Sequence, residues 1–193
     1  MGEAAKSSPA RGGGGPEHGE GASEGEGGRR AVSPGLTPPP PLRGPPPRAG
    51  EDMRFAGYAA LFDRPDRSGD IVRRGAFARA VERGPKGLPL LWQHEAGKPI
   101  GRIEHLSEDV RGLRVIGRLS GRSGVAREAA ALLGDGAVSG LSFGYRVREA
   151  RAGANRELTD LELVEVSLVT FPMQPGARVL AVAADQSGTL IRD

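Results

Sequence analysis

The chain has 193 residues, with 27 Lys plus Arg against 24 Asp plus Glu and no Cys. A disulfide scaffold, a thiol nucleophile and thiolate-held zinc or iron–sulfur centres are excluded. A net charge of +3, with no basic stripe interleaved with aromatics, argues against dedicated nucleic-acid binding. With no apolar run near the ~18 residues of a membrane span and no signal-peptide core at the front, the expectation is a soluble intracellular chain without membrane contact.

Residues 1–50 hold 13 of the 31 Gly and 10 of the 16 Pro, no aromatic residue, and only Met1, Val32, Leu36 and Leu42 as large apolar side chains. Such a segment buries too little to offset the entropy of ordering it. Residues 1–52 are therefore read as a disordered leader, 53–183 as one domain and 184–193 as a tail. A strand is expected over 54–62, where Phe55, Tyr58, Leu61 and Phe62 surround small residues. A polar loop over 63–70 follows, then a short helix over 75–83 with Phe77, Ala80 and Val81 on one face. Gly84, Pro85 and Gly87 stop that helix.

Residues 88–93 form an expected strand that delivers His94 at its end. A turn over 96–98 leads into a second strand over 99–104, and 113–119 supplies a third. Ser123 is a candidate N-cap for a helix over 124–133, with Val125, Ala129, Leu132 and Leu133 at helical spacing. A turn and strand over 138–148, an apolar run over 158–170 interrupted by Asp160, Glu162 and Glu165, and a short strand over 179–182 complete the pattern. Strands outnumber helices, without the regular alternation that a doubly wound sheet requires. The fold class is mainly β with flanking helices.

Three histidines occur, His18, His94 and His105. His18 lies in the leader and His105 among polar residues, which leaves His94. The pair His94 and Glu95 opens like a zincin helix, but Lys98 stands at the second ligand position and Pro99 follows, so neither a metal nor another cofactor is expected. Residues 140–144 match G-x-S-x-G, in which glycines let the backbone expose the Ser142 hydroxyl. An α/β-hydrolase is excluded by order, because no histidine follows His105. A serine needs a base near neutral pH, and His94 is the candidate. Glu165 is a candidate to orient it, since an unpaired carboxylate between Val164 and Val166 would be expensive; Glu162 and Asp160 are the alternatives. Backbone N–H groups of Phe143 and Gly144, or a neighbouring arginine-bearing loop, are the candidate oxyanion donors.

The motifs fall in a characteristic order: Gly57-Tyr58-Ala59 with Asp63; Gly69-Asp70-Ile71-Val72 with Gly75-Ala76-Phe77; Leu91-Trp92-Gln93-His94 with Pro99-Ile100-Gly101; Ser139 to Tyr145; and Leu163 to Val169 with Pro172 and Pro175-Gly176-Ala177. They resemble the HK97-type prohead protease family of tailed phages and gene transfer agents, serine peptidases of capsid maturation. The resemblance covers about residues 54–182. It implies a largely antiparallel β-barrel like that of the herpesvirus assembly proteases. It also implies peptide-bond hydrolysis, with His94 and Ser142 at the family's histidine and serine and Glu165 in its late acidic strand motif. The implied partner is a major capsid protein, cut in its N-terminal scaffolding segment inside an assembling procapsid in the bacterial cytoplasm. Self-cleavage and homo-oligomerisation stay open. The competing readings are a noncleaving scaffolding component and a small-substrate serine esterase.

Overall fold

The computed structural model describes residues 52–184. The leader and tail readings fall mostly on residues outside these. Among the described residues, eight strands and two helices follow in the order β1 (Met53–Leu61), β2 (Ile71–Val72), α1 (Ala78–Arg83), β3 (Pro89–Trp92), β4 (Glu95–Glu108), β5 (Gly112–Leu119), α2 (Gly124–Gly134), β6 (Gly140–Arg151), β7 (Glu157–Val169) and β8 (Val179–Ala184). All belong to one sheet or pack on it.

Along the sheet the order is β2-β7-β3-β4-β5-β1-β8, with β6 on β7. One edge of β7 is paired with β6 over nearly its full length. Its other edge carries β2 at the start and β3 at the end, both parallel to it. Between those two short strands, Leu161 N–H donates to Ala76 O at 2.9 Å, so the turn leading into α1 fills the gap. That turn is itself held by Glu108, whose carboxylate accepts from Gly75 and Phe77 N–H at 3.0 and 2.7 Å.

The mainly β class with few helices is observed. The sheet is not closed, however, so "barrel" describes it only loosely. Its two ends meet at one bridge, Gly140 with Arg178, flanked by Leu141 N–H to Ala177 O at 3.0 Å and Val179 N–H to Ser139 O at 2.8 Å. Beyond that point, among the described residues, β6 continues with β7 as its one strand partner.

The core follows from apolar residues at the spacings of their elements. In β1, Met53, Phe55 and Ala59 are buried at even spacing, and in β5 Leu113, Val115 and Leu119 repeat the pattern. The α1 region buries Phe77 and Ala80. Ser123 caps α2 by accepting from Ala126 N–H at 3.4 Å. The buried face of α2 is Ala126, Ala129, Ala130 and Leu133, with Val125 and Leu132 partly covered, one position round from the expected stripe. An aromatic chain ties α1 to β6: Phe77 meets Phe143 edge-on at 5.2 Å between ring centroids, and Phe143 meets Tyr145 at 5.1 Å.

Candidate active site

The connection between β3 and β4 is tighter than the expected turn over 96–98. Trp92 already pairs with Glu95 across the ladder, which leaves Gln93 and His94 as a two-residue hairpin turn. Both have positive φ, 52° and 63°. A tight turn with two left-handed residues favours Asn-Gly, and side chains with a Cβ are held there at a cost of about 1 kcal/mol or more each. Contacts to the end of β7 hold them. Gln93 N–H donates to Leu168 O at 3.1 Å. Its side-chain amide donates to Thr170 Oγ1 at 2.8 Å and accepts from Thr170 N–H at 3.2 Å. His94 N–H donates to Ser167 Oγ at 3.2 Å.

The ladder between β6 and β7 pairs Ser142 with Ser167 and Gly144 with Glu165. Opposed residues share a face of a sheet, and successive residues alternate. Leu141 and Phe143 therefore turn inward, and Ser142, Gly144, Glu165 and Ser167 turn to the other face. Gly144 has a spatial reason to lack a side chain, because an added Cβ would lie 2.7 Å from Glu165 Oε1. The glutamate lies across its backbone. On the other side of Ser142, a Cβ at Gly140 would meet the Pro172 ring at 2.8 Å. Ser142 thus lies between a proline and a carboxylate.

Glu165 Oε1 is 2.6 Å from His94 Nδ1, and Ser167 Oγ donates to Glu165 Oε2 at 2.6 Å. Ser167 is fully buried and the Glu165 side chain is 9% exposed, whereas the His94 side chain is 45% exposed. The Glu165 hydrogen bond, aided by its charge, holds the imidazole above its ordinary value of 6.5 against partial desolvation. With Nδ1 on the carboxylate, Nε2 is the nitrogen left to exchange protons. Among the described residues the Ser142 hydroxyl has no hydrogen-bond partner. It and His94 are neighbours of the same residue, Ser167.

The alternative acids go elsewhere. Glu162 accepts from Arg146 at 3.4 Å and Arg148 at 2.9 Å, and Asp160 pairs with Arg79 at 3.0 Å. His105 is exposed, and His18 lies outside the described residues. Phe143 and Gly144 differ as donors. Leu141 N–H donates away from β7, to Ala177, so alternation turns Phe143 N–H to that same outer edge and Gly144 N–H toward β7. Ser167 and the Gln93 clamp received no role from sequence reasoning. Period-2 spacing from Glu165 along an apolar strand was the available signal for Ser167. Among the described residues, no group of three or more His, Cys, Asp or Glu could hold a metal ion.

The model of the Caudovirus prohead serine protease family matches residues 46–190. The chain belongs to that family. A prohead protease of Enterobacteria phage HK97 is 33% identical over 150 residues, covering 75% of this chain and 66% of that protein. This member of the prohead serine protease family also overlaps solved herpesvirus enzymes. The KSHV protease, solved with a hexapeptide phosphonate inhibitor, gives a TM-score of 0.49 at 13% identity, over 69% of this chain and 66% of the other. The varicella-zoster virus protease gives 0.44 at 18%, over 71% and 65%.

Proposed function

We propose that this chain is a serine endopeptidase of capsid maturation, cutting the N-terminal scaffolding segment of a major capsid protein inside the procapsid. Family membership supports the reaction class and the setting. The observation that carries the mechanism is the 2.6 Å contact between His94 Nδ1 and Glu165 Oε1, on the sheet face that bears Ser142.

In this reading Glu165 fixes the tautomer in which Nδ1 carries the proton, so Nε2 is free to accept. As substrate binds, Nε2 takes the Ser142 proton while Oγ attacks the scissile carbonyl. The resulting imidazolium is stabilised by Glu165 and then protonates the leaving amine, giving an acyl-Ser142 intermediate. Water, deprotonated by the same nitrogen, attacks the ester and releases the acid, restoring serine and neutral histidine. Ser167 acts through the other two as a positioning residue, holding one carboxylate oxygen and the His94 N–H. Phe143 N–H is the preferred oxyanion donor because it is turned out of the β6–β7 ladder. Such a donor is worth about 3 kcal/mol in the barrier. The outer edge of β6 beyond residue 142 suits an extended peptide added as a strand.

The test is co-expression of the full chain, and separately Ser142→Ala, with the major capsid protein encoded in the same gene neighbourhood, followed by intact-mass measurement. A defined N-terminal truncation present with wild type and absent with the variant is expected. Identical masses, with the protease confirmed inside assembled shells, would favour a noncleaving scaffold component.

A further inference from the structure

A cleft of about 310 Å³ opens beside the irregularity where β7 slips by one residue against β6. Arg83 and Lys86, at the end of α1 and in the turn after it, form one wall; Arg146 on β6 and Glu162 and Val164 on β7 form the other, above Leu106. Three cations thus surround a single carboxylate. That carboxylate is already divided between Arg146 and Arg148. Among the described residues neither Arg83 nor Lys86 has an ion-pair partner, and the Arg146 side chain is 72% exposed. The lining therefore holds positive charge in excess, on a partly apolar base, in a chain whose overall excess is only +3.

The cleft also has a defined place relative to the candidate nucleophile. Arg146 follows Ser142 by four residues and, by strand alternation, shares its face, about 14 Å away at roughly 3.4 Å per residue. Val164 adjoins Glu165 in the chain. A peptide added to the outer edge of β6 would run beside Arg146 after a similar number of its own residues, and a long side chain on the Ser142 face would reach the cleft across Arg146, the lining residue nearest that edge.

We infer that this cleft is a specificity subsite for an acidic side chain, selecting peptides that carry Asp or Glu three to five residues from the bond cut at Ser142. A carboxylate entering it would gain charge-assisted hydrogen bonds from Arg and Lys groups that otherwise face solvent. The inference rests on the endopeptidase reading above.

The experiment uses the co-expression system, with the cut site located by mass. The expected result has three parts. An Asp or Glu lies three to five residues from the cut, its replacement by Lys slows processing at least about tenfold, and an enzyme carrying Lys86→Glu with Arg146→Glu processes that Lys precursor faster than wild-type enzyme does. A cut site with no acid in that window, unchanged processing of the Lys precursor, or failure of the reversed enzyme to prefer it would overturn the subsite. Absence of any Ser142-dependent cut in the unaltered precursor would instead overturn the endopeptidase reading, and the subsite with it.

Discussion

The two halves of β7 carry the same kind of residue and put it to different uses. In the first half Glu157, Asp160 and Glu162 are met by Arg73, Arg79, Arg146 and Arg148, whose side chains are between 36% and 72% exposed. In the second half Glu165 is met by an imidazole and a buried hydroxyl. A guanidinium stays charged across the accessible pH range, so the first three carboxylates have partners that cannot exchange protons. The fourth has an imidazole partner, which can take up and release a proton. What separates them is the element crossing each end of the strand: β2, α1 and the arginines of β6 at one end, the β3–β4 turn at the other.

The sharpest way to break this comparison is Glu165→Gln. It keeps the shape but removes the charge that selects the tautomer, and loss of about 10³- to 10⁴-fold in kcat is expected, by analogy with amide replacement of a triad acid. The pH profile adds a sign. In the proposed mechanism the base is neutral His94, whose pKa is raised, so the wild-type acid limb should lie above the ordinary 6.5. In the variant that limb should move down. Stability runs the opposite way. The gain from charged His94 against Glu165 is fully present below about pH 6.5 and is lost as pH rises through the raised value. Thermal melts of both proteins across that window measure this loss, and a parallel pH dependence would count against the pair.

Gly144→Ala sharpens the same point without touching a polar group. The new Cβ would lie 2.7, 3.0 and 3.2 Å from Oε1, Cγ and Cδ of Glu165, so the side chain must shift off its line to His94. A displacement of this kind costs about 10²-fold in rate. Steady-state kinetics with a melt as control should show lower kcat and a nearly unchanged midpoint. Ser167→Ala should be milder, about tenfold, because Oε1 keeps its contact while Oε2 and His94 N–H lose theirs. A lowered acid limb would mark it as a positioning residue rather than a packing one.

Much of this arrangement is legible in the chain itself. The strands around Ser142 and Glu165, the N-cap of α2 and the buried face at Phe77 follow from spacing and turn residues. The exposed outlook of His105 follows from its neighbours. The cost of an unpaired acid between two valines already pointed to Glu165, but Asp160 and Glu162 sit in the same run, and their arginine partners come from α1 and β6. That choice depends on long-range pairing. The turn at Gln93 and His94 is hidden for a different reason. Neither residue favours left-handed backbone, and the contacts that impose it come from residues 167–170, more than 70 positions away. β2 has only two residues, too few to show a period, and its place is set by β7 on one side and by the Pro65–Ile71 bridge and Asp63 N–H to Val72 O at 3.0 Å on the other.

The smallest expected effect tests whether the first half of β7 is as ordinary as its exposure suggests. Asp160→Asn removes one member of the pair with Arg79, whose side chain is 72% exposed against 20% for the aspartate. At such a site the attraction is screened by water and salt and offset by the entropy of holding a long side chain, which leaves a net of about 0–1 kcal/mol. Chemical denaturation should show a loss within that range, shrinking as salt is raised. Activity on a substrate without acidic residues near the cut should stay within about twofold of wild type. A larger fall in kcat, with stability retained, would mean that charge in the first half of β7 reaches the Glu165 and His94 pair. The strand would then act electrostatically as one unit, and the contrast between its halves would be one of distance from Ser142 rather than of partner.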